Sequence, residues 1–395
     1  MSRRLLFAIV FVGLTTSACA AVSAEHKLSR HAPHRPAERA VKPAERAVEV
    51  VWRTDTSGRP VAVAADSLGV VVAMDRAGVA ALDTRGGVVW TIDLDGVSRG
   101  VPVIMGDRVV LPISRADGSG GCVGLDRQTG ETRWRYEATT GGVAVARAGA
   151  LVLCVLHNGQ TAGIAPRFGS PRWEFTFRGD VDSSTVEVSA GTAIAVDEST
   201  GAFAFAARSG WNWQLTVRNI ETGLTRFFLD LGPGAAPSAP TLVGAGFFGI
   251  AASDRGEIDF VSIDRQKFVK LAVAADGGFD PTGAPLRVEG LVIVAALSGA
   301  VTAIDLRTLR PRWTAQTHDP IRSAHPVVLG TAVMFRTATG RLVALRLADG
   351  APVTVPADPG RAITTLVDSG PAGVHAVGQD GHVGWIERWE PQPGG

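Results

Sequence analysis

GLDRQTGETRW, residues 124 to 134, packs a strand end, a turn and the start of a second strand into one short stretch. Its apolar entry stops at Asp126, a side chain that accepts hydrogen bonds from backbone N–H groups just downstream and so favours a turn. Thr129 and Gly130 complete the turn, glycine supplying backbone angles that other residues resist. Trp134 then resumes the apolar pattern.

The same pattern recurs outward in both directions. It reads ALDTRGGVVW at 81 to 90, GIAPRFGSPRW at 163 to 173 and AIDLRTLRPRW at 303 to 313. Weaker copies are VRNIETGLTRF at 217 to 227, SIDRQKFVKL at 262 to 271 and ALRLADGAPV at 344 to 353. The Trp-equivalent positions are 52, 90, 134, 173, 227, 271, 313 and 353, which are 38, 44, 39, 54, 44, 42 and 40 residues apart. A four-stranded antiparallel blade with its turns takes about 40 to 45 residues. Upstream of the motifs sit further strand-like runs, such as VPVIMGDRVVLPI at 101 to 113 and APLRVEGLVIVAAL at 284 to 297, with short Gly-containing turns inside them. Each unit therefore reads as three strands, the Asp turn and a fourth strand carrying the Trp.

Bookkeeping at the ends predicts ring closure. Residues 364 to 389 offer three strands with no fourth, whereas AVEVVWRTD, residues 47 to 55, is a fourth strand with no preceding three. Joining them completes the last blade and hides two sheet edges. The expectation is an all-β chain forming a single eight-bladed β-propeller of four-stranded antiparallel blades over 48–391, closed by the N-terminal strand and followed by a tail at 392–395. Seven blades is the alternative, because the central copies are degraded.

The motif, best kept at Asp126, Thr129, Gly130 and Trp134, resembles the PQQ-like (quinoprotein-type) β-propeller repeat, and the resemblance covers most of residues 48 to 389. It implies that Trp52, Trp90, Trp134, Trp173 and Trp313 dock neighbouring blades. It does not by itself imply catalysis, since one fold hosts many functions.

The remaining sequence frames where and how such a domain works. Arg3 and Arg4 precede the apolar run LLFAIVFVGL, residues 5 to 14, and then TTSAC ending at Cys19. That run suits a signal-peptide core and is too short to span a bilayer. The small residues before Cys19 resemble a bacterial lipobox, although Thr16 stands where Leu is usual, so residues 1–19 read as a signal peptide with Cys19 as the lipidated residue. Plain secretion is the alternative. Residues 20–47 hold RPAERAV (35–41) and all but the last residue of its near-copy KPAERAV (42–48), with too little apolar content to fold, so they read as a disordered tether. The histidines at 26, 31 and 34 read as part of it.

The chain has 39 basic and 38 acidic residues, for a formal net charge of +1, and nothing in that balance predicts nucleic-acid binding, which needs a concentrated basic face. No C-x-x-C or H-E-x-x-H motif is present. The repeated aspartates Asp83, Asp126, Asp264 and Asp305 belong to turns, and no Cys-Cys pair of the kind found beside quinone in PQQ-dependent dehydrogenases occurs. No catalytic residue, metal site or cofactor is expected. His318 and His325 flank a polar loop that could reach one mouth of the central channel, and His375 and His382 read as ordinary strand and turn positions. Cys154 lies inside the apolar run LVLCVLH, so it and Cys122 are expected to be buried free thiols, pairing being the alternative.

The longest interval, from Trp173 to Phe227, contains STGAFAFAARSGWNWQL. Phe203, Phe205, Trp211 and Trp213 there form a candidate partner loop, aromatic side chains being common interaction hot spots. Packing of these rings on a neighbouring blade is the other reading, and alternation puts Trp211 and Trp213 on one face of a strand. The functional expectation is a monomeric, extracytoplasmic, lipid-anchored and non-catalytic scaffold for envelope or membrane proteins, similar in layout to propeller lipoproteins of the outer-membrane barrel-assembly machinery. Alternatives are a PQQ- and calcium-dependent enzyme or small-ligand sensor, and a carbohydrate- or wall-binding module.

Overall fold

Runs such as VVVAM and LVLCVL are too short for helices that could bury them and rich in β-branched residues, so they pair as strands. In the computed structural model the described residues are 50–55, 58–76, 78–176, 186–188, 194–234, 236–244, 246–252, 257–263, 268–272, 283–321, 326–353, 363–368, 374–378 and 382–386. The predicted signal peptide with Cys19, the tether, His325 and the C-terminal tail lie outside them.

The described residues form eight antiparallel sheets. Blade I holds β2 (Pro60–Asp66), β3 (Gly69–Met74), β4 (Gly78–Leu82) and β5 (Val88–Asp93). Blade II holds β6 (Val103–Met105), β7 (Arg108–Ser114), β8 (Gly120–Asp126) and β9 (Thr132–Ala138). Blade III holds β10 (Gly142–Ala148), β11 (Leu151–Leu156), β12 (Thr161–Ile164) and β13 (Pro171–Phe175). Blade IV has five strands, because its innermost strand comes in two pieces, β14 (Val186–Glu187) and β15 (Ala195–Asp197), which both pair with β16 (Ala202–Ser209); β17 (Asn212–Asn219) and β18 (Thr225–Pro233) follow. Blade V comprises β19 (Thr241–Gly244), β20 (Phe247–Ala252), β21 (Glu257–Ser262) and β22 (Phe268–Ala272). Blade VI comprises β23 (Leu286–Val288), β24 (Leu291–Ala295), β25 (Ala300–Asp305) and β26 (Arg310–Gln316). Blade VII comprises β27 (Val327–Leu329), β28 (Ala332–Arg336), β29 (Leu342–Arg346) and β30 (Pro352–Val353).

Blade VIII is built from both ends of the domain. β31 (Ile363–Asp368), β32 (Val374–Gly378) and β33 (His382–Ile386) pair in order, and β1 (Val50–Asp55) completes the sheet against β33. The ladder runs from Val50 opposite Ile386 to Asp55 opposite His382. The first strands of successive blades lie side by side, β2 against β6, β6 against β10, β10 against β15, β15 against β19 and β19 against β23. Blades VI and VII share one apolar cluster containing Val288, Phe335 and Leu345. β27 then meets β31, and β31 meets β2, closing the ring.

Each blade is sandwiched between two others, so its middle strands are buried on both faces. All positions of β3, β4 and β12 are buried, as are all but the last of β8. Outermost strands alternate instead. β5 buries Trp90 among exposed neighbours, and β9 buries Trp134 and Tyr136.

The Trp side chains join the blades through a repeated contact. The indole N–H of Trp90 donates to the Arg127 carbonyl at 3.0 Å, that of Trp134 to Pro166 at 2.7 Å, that of Trp173 to Ile220 at 2.9 Å and that of Trp313 to Leu347 at 2.9 Å. In each case the acceptor sits in the Asp-type turn of the next blade. The ring also lies over that turn's glycine. A Cβ placed on Gly130, Gly169, Gly223 or Gly350 would fall 2.4 to 2.8 Å from the ring of Trp90, Trp134, Trp173 or Trp313 respectively. These glycines have φ between 71° and 75°. One position tests the logic within the chain. Blade V presents Leu271 instead of Trp, and the glycine position in the blade VI turn is Leu309, at φ 51°, packed in the same apolar cluster.

Blades I and II are joined further by the buried Arg127, which donates to the Asp66 carboxylate through Nη2 at 2.9 Å and Nε at 3.2 Å. Burial alone would raise the Asp66 carboxyl; its hydrogen bond and ion pair with Arg127 outweigh that and hold it below the usual carboxylate range.

Blades II and III carry a covalent link. Cys122 on β8 and Cys154 on β11 form a disulfide with Cα atoms 6.7 Å apart. The expectation of two buried free thiols is thereby overturned. Both residues are buried, and the ring brings together middle strands of adjacent blades that the sequence separates by 32 residues.

Candidate functional site: the loop face of blades I to IV

A four-stranded propeller blade has two ends. One carries the turns between its second and third strands and the crossings to the next blade. At blades I to III this end encloses a cleft of about 520 Å³. Its wall runs from Asp95, Val97 and Arg99, in the crossing from β5 to β6, through Arg115 in the β7–β8 turn, to Val143 on β10 and His157 in the β11–β12 turn.

Arg115 stiffens this wall. Its guanidinium donates to Glu137 through two nitrogens at 2.6 and 2.8 Å and to Asp95 at 2.9 Å. These hydrogen bonds, to Glu137 first and Asp95 second, drive the Arg115 pKa upward, and the three side chains together carry one net negative charge. The crossing is pinned by a bridge between Val97 and Ser114.

Blade IV rises beside the cleft. β16 and β17 are eight residues each, longer than their counterparts in the other blades, and turn at Gly210 and Trp211. Trp211 is 83% exposed. The hairpin is tied to the cleft through β14: Val186 and Glu187 pair with Ser209 and Arg208 near its tip, and the Val188 N–H donates to the His157 carbonyl at 2.9 Å.

The four aromatic residues of the candidate partner loop do not stay together. Phe203 and Phe205 are fully buried, and Trp213 is 7% exposed. Phe203 stacks on Trp173 with centroids 6.1 Å apart, so it belongs to the packing between blades III and IV. Trp211 and Trp213 also part, because Trp211 occupies the turn whereas Trp213 lies in β17 opposite Arg208. Of the four, Trp211 alone is exposed.

Sequence reasoning missed Arg218 on β17. It is fully buried, with its guanidinium 4.4 Å from the Phe175 ring centroid and 5.2 Å from that of Phe205, and it donates to Thr161 Oγ1. Burial pushes its pKa down to about 9. Phe175 and Thr161 belong to blade III, so this cation–π sandwich is part of the blade seam. An arginine following the alternation WQLTV, residues 213 to 217, gave no signal of a ring on each side.

The repeated aspartates act within turns. Asp126 Oδ1 accepts from the Gln128 and Thr129 N–H groups, and Asp305 Oδ1 accepts from those of Arg307 and Thr308. Asp264 lies outside the described residues. His318 is exposed in the crossing from β26 to β27, and His375 and His382 sit in β32 and β33. Among the described residues no group of three or more His, Cys, Asp or Glu is placed to hold a metal ion.

A closed ring of antiparallel blades, each presenting a Trp to the Asp turn of the next, defines a β-propeller of the PQQ-like repeat type. The chain belongs to the family described as outer membrane protein assembly factor BamB, whose model matches residues 39–226 and 261–391. Among solved structures it is similar to BamB from Moraxella catarrhalis, at 18% identity over 88% of this chain and 98% of that one, with a TM-score of 0.63. It is also similar to the computationally designed protein Ika8 (17% identity, 86% and 99% covered, TM-score 0.69) and to the C-terminal WD40 domain of Sif2 (10% identity, 88% and 99% covered, TM-score 0.63). At these identities the likeness carries the fold alone. No curated protein sequence matches the chain.

Proposed function

We propose that this chain is an exported, lipid-anchored and non-catalytic scaffold that holds protein partners at the cell envelope through the loop face of blades I to IV. The carrying observation is the blade IV hairpin, which places Trp211 on a rigid two-stranded support beside a formed cleft. A large aromatic side chain held outside the core is a suitable anchor for a partner's pocket. Family membership supports the scaffold reading. The Cys122–Cys154 disulfide supports maturation in an oxidising compartment. Lipidation at Cys19 would tether the domain to a membrane surface without spanning it.

The test is in-cell crosslinking of the tagged full chain, with mass spectrometry of what is captured, in wild type, Trp211→Ala and Cys19→Ala strains. An envelope protein captured by wild type and lost in Trp211→Ala, together with release of Cys19→Ala from the membrane fraction, is the expected result. Equal capture by wild type and Trp211→Ala would remove the hairpin from the binding face. A quinone chromophore and one calcium ion in the purified protein would instead carry the quinoprotein reading.

A further inference from the structure

We propose that the end of the ring carrying the Asp turns is a membrane-docking surface, seated on an anionic lipid headgroup layer through Phe168, Leu224 and the arginines around them. The proposal deepens the scaffold reading by giving the anchored domain an orientation, and it rests on the lipid at Cys19 for its setting.

The argument begins from where the chain enters the ring. β1 is the outermost strand of blade VIII, and its first residue, Val50, lies opposite Ile386, the last residue of β33. The third strand of a blade runs toward the Asp-turn end, so Ile386 and Val50 stand at that end, and His382 and Asp55 at the other. A lipid carried at Cys19 is therefore joined to the ring at its Asp-turn end. The cleft and the Trp211 hairpin lie at the opposite end, turned toward partners.

Exposed apolar side chains follow the same polarity. Five stand at the Asp-turn end: Leu68 and Val88 in blade I, Phe168 in blade III, Leu224 in blade IV and Phe247 in blade V. Val101 and Trp211 stand at the other end. Phe168, Leu224 and Phe247 form an arc over three consecutive blades, and Phe168 and Leu224 are 68% and 58% exposed. The blade III turn differs from its counterparts in charge. Ala165 stands where blade II has Asp126, so GIAPRFGSPRW carries Arg167 and Arg172 with no carboxylate. The Arg167 guanidinium lies 5.3 Å from the Phe168 ring centroid. Over this end of blades III and IV the exposed charges are Arg147, Arg167, Arg172 and Arg226 against Glu198 and Glu221, four against two. Arg147, Arg167 and Arg172 make no ion pair among the described residues. Single apolar side chains on separate turns, with arginines beside them, suit a headgroup layer. The apolar tips dip into the interface while the guanidinium groups meet lipid phosphate.

The experiment places the purified full chain in vesicles of phosphatidylcholine mixed with anionic phosphatidylglycerol and doped with a photoactivatable phospholipid. Mass spectrometry maps the labelled peptides, and the intact mass reports acylation of Cys19. Labelling at the Phe168 and Leu224 turns, and none at the hairpin tip of residues 209–212, is the expected result. It should fall about fivefold in each of Arg167→Gln and Arg172→Gln, as the contribution of one arginine near an anionic surface implies. It should also fall in Phe168→Ser, and for wild type in vesicles of phosphatidylcholine alone. All three side chains are exposed, and an unchanged melting temperature confirms that each variant is folded. Labelling of the Trp211 hairpin instead, or labelling of the turns unchanged in the three variants, would overturn the surface. Crosslinks in cells from the Phe168 turn to a protein, lost in Phe168→Ser, would give this end to a protein partner and overturn the lipid assignment. An acylated Cys19 with unlabelled turns would sink this proposal and leave the anchored scaffold standing. If Cys19 carries no lipid, the secreted form is added to the same vesicles: labelled turns then keep the surface and remove the anchor, and unlabelled turns remove both.

Discussion

Single residues hold the ring together in pairs, and the pairs are asymmetric. A Trp brings the buried surface and the hydrogen bond, while the glycine of the next turn brings only the absence of a side chain. Gly223 and Gly149 separate two causes that usually travel together. Both have positive φ, 71° and 58°, but a Cβ on Gly223 would lie 2.4 Å from Trp173 whereas one on Gly149 meets nothing within 4 Å. Gly149→Ala should cost only the backbone term, about 1 kcal/mol. Gly223→Ala should add overpacking against the indole and cost about 2 to 4 kcal/mol in total. Urea denaturation of the two variants compares them directly, and equal losses would show that the indole contact carries no weight. Leu309 already displays the same rule, since the turn gives up its glycine where the preceding blade has given up its Trp.

At the scale of elements, the contacts between neighbouring blades decide both stability and the shape of the loop face. The Cys122–Cys154 bond closes a loop of about 33 residues, for which a contribution of about 2 to 4 kcal/mol is expected. The double variant Cys122→Ala with Cys154→Ala should lower the denaturation midpoint accordingly, and dithiothreitol should leave the folded wild type untouched because both residues are fully buried. A midpoint unchanged in the double variant would mean that the seam is held without the bond. This link also marks where reading along the chain stops. Asp126, Gly130 and Trp134 were legible because they recur at one spacing and act within a turn or toward the next repeat. Cys122 and Cys154 have no such spacing, and only the side-by-side placement of β8 and β11 makes them neighbours. Phe203 and Phe205 misled for a related reason. In a half-buried sheet, alternation separates an inner face from an outer one, but β16 lies between two blades and buries both. Trp211 was legible as an aromatic residue near a turn. The Arg115 brace was not, since nothing in its sequence neighbours foretold that Asp95 and Glu137 would both meet it.

At the scale of the whole molecule, closure depends on the one sheet that no continuous stretch of chain can build. β1 pairs with β33, more than 300 residues away, across a ladder with a single irregularity between Trp52 and Thr54. Removing residues 1–55 should leave β33 with an open edge, and the purified product should elute as oligomers or aggregates on size exclusion. A synthetic peptide of residues 47–57 added during refolding should restore the monomer. A truncated chain that stays monomeric with an unchanged melting temperature would show that seven complete blades close without this strand.

Closure through β1 also sets an order of events in time. The strand that finishes the ring is the first to be made, and its partner is nearly the last. During synthesis β1 must wait, extended and unpaired, while seven blades assemble behind it. Its pairing is a step of very high contact order and should be the slow phase of folding. Until that step, both β1 and the edge of β33 are open to any stray strand in a crowded compartment. For this architecture the hazardous interval is the wait for the last three strands, and an escort that shields strand edges would act there.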